Sequence, residues 1–474
     1  MACRSPDAQG RNVFGSFEMR LLKFFYSDLL TRGFTFCSRH GLLWPAVFLL
    51  PLYVRRTQRA DHKKAPINLL VIPKEGLNED VISSLGSDGR FNVYSIYRKA
   101  VKALAAGILH HSLDDNNYCN VGREAEQSKR AYRQYLGSLW DRVQRLIRFD
   151  AVLTGNFAYY AERELAAALE ERGTPFVTLH KENVKTPGRI TFFTHVYKNR
   201  RGPFSGRKIF VYNEIERQLQ VATGVVPEDK VVITGMARMD RAHRFRLGRK
   251  EEEKAVPARP QVLCFSFRQR TGLPQLSRKL RKTAGSYQEH IGGGLDELNW
   301  DGLFTQYHEA VLRLARENPT IRVVVKAKGG ERDARALAEI LGPLSALPSN
   351  LDVVVGGDPF DLLAGSHVVC GFNTTALLEA LSMGKPVVVP SFEEALDKEM
   401  QPYIIDLEDA VHYARSSDEL VHVLREYALK REPSAVELDS CAKRVLDKWV
   451  GNVDGRSGER VRRELLSILL ESKT

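Results

Sequence analysis

Paired cysteines are missing from this sequence. Its six cysteines (3, 37, 119, 264, 370 and 441) are scattered, and no two stand as C-x-x-C. Neither a disulfide framework nor a zinc site is implied, and a reducing cytoplasm is the expected compartment. Cys264 and Cys370 lie inside apolar strand patterns, where a free thiol behaves as a small hydrophobe. A membrane-spanning run is missing too. The apolar stretch Leu42 to Val54 has thirteen residues and is broken by Pro45 and Pro51, whereas a spanning helix needs about twenty. It starts too late for a secretory signal and no small-residue cleavage site follows. No acidic D-x-D pair stands at a strand end, so no metal is expected, and no short-period repeat occurs.

What is present is a soluble composition, 43% apolar and 27% charged, on a chain too long for one hydrophobic core. At 474 residues two domains plus smaller segments are expected. The net charge of +12 is concentrated: up to Lys64 there are eleven Lys/Arg against four Asp/Glu, a local excess of +7. Such an excess suits nucleic acid or a lipid surface, but here the charge is mixed with bulky apolar residues. Phe17, Leu21, Phe24, Phe25 and Leu29 fall near one helical face with Arg20 and Lys23 between them. Trp44 and Tyr53 flank the apolar run, and Arg55, Arg56 and Arg59 follow it. No nucleic acid is expected as partner. The segment 1–64 is expected either to lie on an anionic membrane face, peripheral on its inner side, or to pack on the protein's own core or a partner subunit.

From Ala65 an α/β rhythm begins. Ile67 to Ile72, Phe91 to Tyr97, Ala151 to Leu153, Phe176 to Leu179, Ile209 to Tyr212 and Val231 to Ile233 read as strands, with helices at Glu124 to Arg148 and Ala161 to Glu171. This spacing predicts a doubly wound parallel sheet over 65–247. The charged, proline-bearing stretch 248–260 reads as a linker. The rhythm restarts over 261–430: strands at Val262 to Phe265, Ile321 to Val325 and Val353 to Val355, and helices at Gln306 to Glu317 and Arg332 to Leu341. Gly272 to Gly294 reads as a long insertion, and 431–474 as terminal helices.

Two such halves form a cleft between the carboxyl edges of their sheets, where ligands bind. Polar loops end the predicted strands at 154–156, 180–183, 234–240, 266–268, 326–330 and 371–375. The most informative stretch is Val368 to Pro390, VVCGFNTTALLEALSMGKPVVVP. A strand end turns on Gly371, a polar run Asn373, Thr374, Thr375 opens a helix, Gly384 and Pro386 close it, and Val387 to Val389 is a second strand. Helix-start N–H groups and dipole favour a phosphate there. Glu379, one turn beyond Thr375, leans back toward the same mouth and suits a ribose diol. The alternative is a solvated helix carboxylate after a polar loop.

Glu379-Ala380 followed by Gly384, Lys385, Pro386 and valines resembles the donor helix of GT-B glycosyltransferases. The wider run Gly371, Phe372, Asn373, Thr374 and Glu379 is similar to bacterial surface-carbohydrate (capsule or lipopolysaccharide) transferases. The resemblance implies a GT-B-like α/β fold, two Rossmann-like doubly wound domains facing across a cleft, with a basic, apolar N-terminal extension. It implies a nucleotide-sugar donor in the C-terminal domain, with pyrophosphate at Gly371, Asn373, Thr374 and Thr375 and ribose on Glu379. A glycan or lipid-linked acceptor would enter from the N-terminal domain. No cofactor is expected beyond the nucleotide sugar as substrate.

Thr234 to Asp240 (TGMARMD) resembles the T-G-x-P-R-x-D turn of these transferases and, more loosely, of CDP-glycerol phosphotransferases, with Ala237 in place of proline. Arg238 there could hold phosphate by two hydrogen bonds, or pair with Asp240 to close the turn. Ser266 and Arg268 follow a strand where the family places donor-phosphate contacts. Lys326 ends RVVVK where relatives show K-P-H-P; the missing histidine argues against a phosphotransferase. An acceptor hydroxyl needs a base within reach, and Glu182 and His180 in LHKEN are the candidates, each with a purely structural alternative. The expected function is metal-independent glycosyl transfer. A CDP-polyol phosphotransferase, a UDP-sugar epimerase and a non-catalytic scaffold of a capsule assembly complex remain as alternatives.

Overall fold

The computed structural model describes residues 28–61, 66–74, 76–115, 117–119, 122–248, 259–274, 297–329, 331–430 and 435–472. The face expected over Phe17 to Phe25, most of the linker and most of the 272–294 insertion lie outside them.

Two sheets organise the chain. The N-terminal sheet holds β1 (Val54–Gln58), β2 (Ile67–Ile72), β3 (Phe91–Ile96), β4 (Ala151–Thr154), β5 (Phe176–Leu179), β6 (Lys208–Val211) and β7 (Val231–Ile233), in the order β1-β3-β2-β4-β5-β6-β7. All pairs are parallel except β1, which runs antiparallel to β3 at the edge. The C-terminal sheet is β10-β9-β8-β11-β12-β13 and wholly parallel. Its strands are β8 (Gln261–Phe265), β9 (Arg322–Ala327), β10 (Leu351–Val355), β11 (Val368–Cys370), β12 (Val387–Pro390) and β13 (His412–Ala414). In chain order that is 3-2-1-4-5-6, the Rossmann arrangement. β4, β5, β8, β11 and β12 are buried along their whole length, as strands covered by helices on both faces must be. The fold is the GT-B-like pair of Rossmann-like domains.

The N-terminal extension is part of that architecture. Residues 28–39 are helical, Leu43–Leu49 is a second short helix, and β1 then joins the sheet. Pro45 is tolerated because it falls in the first helical turn, where the N–H has no intrahelical partner. The exposed arginines of β1, Arg55 and Arg56, guard the sheet edge against further pairing.

The two domains are sewn together by the turn 234–240 and by the chain's return at 449–458. Asp240 does not pair with Arg238. Its carboxylate accepts from Ser457 N (3.1 Å), Gly458 N (2.8 Å) and Asn452 Nδ2 (2.7 Å), so it caps the helix Ser457–Glu471. That helix buries Val461, Leu465, Ile468 and Leu469 against Leu77, Val81 and Leu85 of the N-terminal domain. The preceding helix, Ser440–Val450, packs on the C-terminal core through Leu446 and Trp449. Gly235 is required at the seam. Its φ is +79°, and a Cβ there would meet the Gly451 carbonyl oxygen at 2.3 Å.

Asp240→Ala leaves three buried donors without their acceptor. It is expected to cost about 3 kcal/mol of stability, read as an earlier denaturant midpoint, with earlier proteolytic release of the terminal helix than in the parent.

Candidate functional site

The helix Thr375–Ser382 starts as its sequence dictates. Thr374 is the N-cap, its hydroxyl accepting from Ala376 N at 3.4 Å, and Gly384 follows the helix in the left-handed region at φ +70°. Gly371 lets the strand end pass close to Phe265, whose Cβ would lie 3.0 Å from an added methyl. Asn373, itself at φ +48°, spends its amide on the neighbouring loop. Its Nδ2 donates to Tyr403 O (3.0 Å), and its Oδ1 accepts from Ile405 N (2.8 Å). The phosphate expected at this turn would meet its backbone N–H groups, and the side-chain amide shapes the mouth. Thr375 is half-buried at the first helical position.

Glu379 is half-buried and faces the seam between domains. Its electrostatic neighbours are Asp358 of its own domain, Arg241 on the helix Asp240–Gly248 that packs against it, and Arg238 of the other domain. Burial, helped by Asp358, pushes its carboxyl up to about 7 against the pull of the two arginines. Arg241 in turn bridges Asp358 (2.5 Å) and lies 3.5 Å over the Phe360 ring.

Arg238 is fixed from behind. Its backbone N donates to Asp80 Oδ1 (3.0 Å), and Nη1 donates to Asp80 Oδ2 (3.0 Å), Tyr212 Oη (3.1 Å) and Gly76 O (3.3 Å). Tyr212 Oη itself donates to Asp80 (3.1 Å). Nε and Nη2 of the guanidinium have no hydrogen-bond partner among the described residues. Asp80 and Tyr212 went unread in the sequence because neither lies in a motif.

The other expected phosphate contacts are committed elsewhere. His308 is fully buried, which pulls its pKa down to about 4, and its Nδ1 lies 2.7 Å from Phe304 O. The ring proton therefore sits on Nδ1, and Nε2 accepts from the Ser266 hydroxyl at 3.0 Å. Ser266 thereby commits its proton to His308 and keeps its lone pairs for any ligand. Arg268 forms a two-pronged pair with Asp333, both bonds 2.8 Å. Lys326 is buried, and its ammonium donates to Gly356 O (2.6 Å) and Ala327 O (3.1 Å). Burial lowers its pKa and Asp358 opposes that. A lysine expected to meet phosphate is instead tied to two carbonyls.

On the opposite edge, His180 is 1% exposed, with Nε2 3.1 Å from Glu216 Oε1 and its ring against Phe157. Glu216 also accepts from Tyr197 Oη (2.8 Å) and Gln220 Nε2 (2.7 Å), with Lys185 at 3.5 Å. Burial would raise its carboxyl, yet Lys185 and His180 hold it at about 2. His180 thus belongs to a sealed ion network beneath the helix Glu214–Ala222 and cannot reach a substrate as a base; that expectation is corrected.

Glu182 is exposed and lies 3.7 Å from Lys74. Desolvation works against its charge, but Lys185, His180, Lys74 and Lys181 together lower its pKa. Beside it the carboxyl ends of β2, β3 and β4 gather Lys74, Arg98 and Tyr159. Arg98 stacks 3.4 Å over the Tyr159 ring and donates to Glu162 Oε1 (2.9 Å). Tyr159 Oη and Arg98 Nη2 are buried without partners among the described residues. All these residues follow predicted strands, a signal that position alone could have given.

No protein-family model and no curated protein matches this chain. Solved structures overlap it at low identity. The UDP-GlcNAc 2-epimerase from Neisseria meningitidis bound to UDP-GlcNAc shares 16% identity over 85% of this chain and 100% of its own, with a TM-score of 0.46. A glycosyltransferase from Rickettsia africae shares 14% over 86% and 99%, with a TM-score of 0.44. The Methanocaldococcus jannaschii UDP-GlcNAc 2-epimerase in complex with UDP-GlcNAc and UDP shares 12% over 85% and 100%, with a TM-score of 0.42.

Because Glu379 holds its proton longer when folded, its contribution is greatest below its ordinary value of 4.5 and is lost as pH climbs to about 7. Glu379→Gln lacks that loss, and it should be more stable than the parent by about 1–3 kcal/mol above the window. Chemical denaturation at several pH values measures the difference.

Proposed function

We propose that the chain acts on a nucleotide-activated sugar held between the two domains, diphosphate against Arg238 and the helix start, ribose against Glu379. The observation that carries this reading is the position of Glu379, half-buried on the C-terminal domain's helix, with Arg241 and, from across the seam, Arg238 as electrostatic neighbours. An ionised carboxylate accepts both protons of a ribose diol. Arg238, pre-set by Asp80 and Tyr212, offers guanidinium N–H donors without reorganisation. Rupture of the bond from the sugar's C1 to the diphosphate oxygen leaves negative charge on the nucleotide. The guanidinium and the helix dipole stabilise that charge.

Two reactions share this rupture. In transfer, a surface-glycan or lipid-linked hydroxyl takes the sugar and needs a base beside it. In epimerisation the nucleotide leaves and is restored after inversion of one sugar carbon, with no second substrate. Burial of His180 removes one of the two bases considered for an acceptor, which favours epimerisation. Glu182, with Lys74 beside it, is the group for proton transfer in either case.

UDP at a hundredfold its dissociation constant should stabilise the protein by about 2.7 kcal/mol. Affinity should rise as Glu379 ionises through its value of about 7, while Glu379→Gln binds about tenfold more weakly with a flat pH profile. Calorimetric titration tests both, and absence of any UDP binding would overturn the proposal. Incubation with UDP-GlcNAc in deuterated water separates the reactions. An epimerase yields the inverted sugar nucleotide carrying deuterium; a transferase leaves the donor unchanged until an acceptor is added.

A further inference from the structure

Ten consecutive apolar residues, Leu43 to Leu52, lie at the protein surface. A helix that is apolar all round is normally sunk in a core or a membrane. Here one side of the run faces inward: Val47, Leu50 and Pro51 line an apolar cavity of about 210 Å³ together with Leu70, Leu104 and Trp140. The other side is bare. Trp44, Phe48 and Leu52 are 45%, 72% and 50% exposed, Leu146 and Ile147 at the cavity's rim are exposed too, and so are Leu29 and Phe36 of the preceding helix. Among the cavity's lining residues Arg56 carries the only charge.

The surrounding charge is mainly positive, although Asp141 stands beside Arg142 and pairs with Arg172. Between residues 28 and 59 there are five arginines and one acid, Asp28, which is bridged to Arg32. Arg142, Arg145 and Arg148 add three more with no acid among them, and Arg142 lies 5.7 Å over the Trp44 ring. No helix among the described residues is long and apolar enough to cross a membrane. Bulky apolar side chains ringed by arginines match the acyl and headgroup layers of an anionic bilayer. A pocket with so apolar a lining takes apolar guests.

We propose that residues 28–59, with the helix Arg123–Leu146, form a docking surface for an anionic lipid bilayer, and that the cavity receives the tail of one of its lipids. Trp44, Phe48 and Leu52 enter the interface, and Arg55, Arg56, Arg59 and Arg145 meet headgroup phosphates. The surface is independent of the nucleotide site.

The full chain is sedimented with vesicles of phosphatidylcholine alone or with equal parts of phosphatidylglycerol. Binding to the anionic vesicles only, weakened by salt and at least tenfold weaker for Phe48→Ser/Leu52→Ser, supports the proposal. Both positions are exposed, so the variant should unfold with the parent. Vesicles with brominated acyl chains should quench Trp140 fluorescence in a Trp44→Phe protein, which reports tail entry. Equal binding to neutral vesicles, binding unchanged in the double variant, or quenching confined to Trp44 would overturn it. So would a concentration-dependent dimer abolished by the same variant and undisturbed by vesicles, since a second copy would then be the occupant.

Discussion

One carboxylate holds the two domains in relation to each other. Asp240 gathers two backbone N–H groups from the start of the last helix and the amide of Asn452, and the return of the chain to the N-terminal sheet depends on it. An acceptor for helix-start donors contributes about 1 kcal/mol, and a charged one in a buried place more. The consequence reaches the cleft. Arg238 stands two residues before Asp240, so the turn that anchors the terminal helix also sets the guanidinium among Glu379's neighbours. Clamping and presentation of charge are therefore one structural act, and a change at either end of the turn is felt at the other.

Two carboxylates, Glu379 and Glu182, illustrate how neighbours decide ionisation. Both lose solvation. Glu379 has Asp358 beside it and rises to about 7, whereas Glu182 stands among lysines and is lowered. Desolvation and charge can each move a carboxyl by units, so near neutrality Glu379 is poised to change protonation while Glu182 remains an anion. A ligand that donates hydrogen bonds to Glu379 would pull it to the ionised form, coupling proton release to nucleotide binding.

The strand skeleton was legible because parallel strands buried on both faces are near-continuous apolar runs. Ile67–Ile72 and Phe176–Leu179 were bounded correctly for that reason. β1 was not, since its arginine-rich sequence pairs only with a distant strand, and β13 is three residues long. Strand ends marked which loops would meet, but not which way each side chain would turn. At a strand terminus His180 reads either as a base or as structural, and Lys326 either as a phosphate contact or as merely exposed; a covering helix seals the first, and two carbonyls capture the second. Arg238 was read as a cation near phosphate or a partner of Asp240. Its true partners, Asp80 and Tyr212, are 158 and 26 residues away, a pairing no local pattern encodes.

The strength of each cation's existing bonds decides which can still serve a phosphate. Lys326 is buried, so freeing its ammonium would strand two carbonyls and a charge in a site with little water, at several kcal/mol. Arg268 is different: its side chain is 62% exposed, and an exposed ion pair is held by only about 0–1 kcal/mol. A diphosphate with two charges can compete with Asp333 for that guanidinium at little cost. The same comparison separates Arg238, whose buried Asp80 and Tyr212 contacts keep it in place while part of its fork stays unpaired among the described residues. Arg238 is thus a fixed cation, and Arg268 one that can exchange partners.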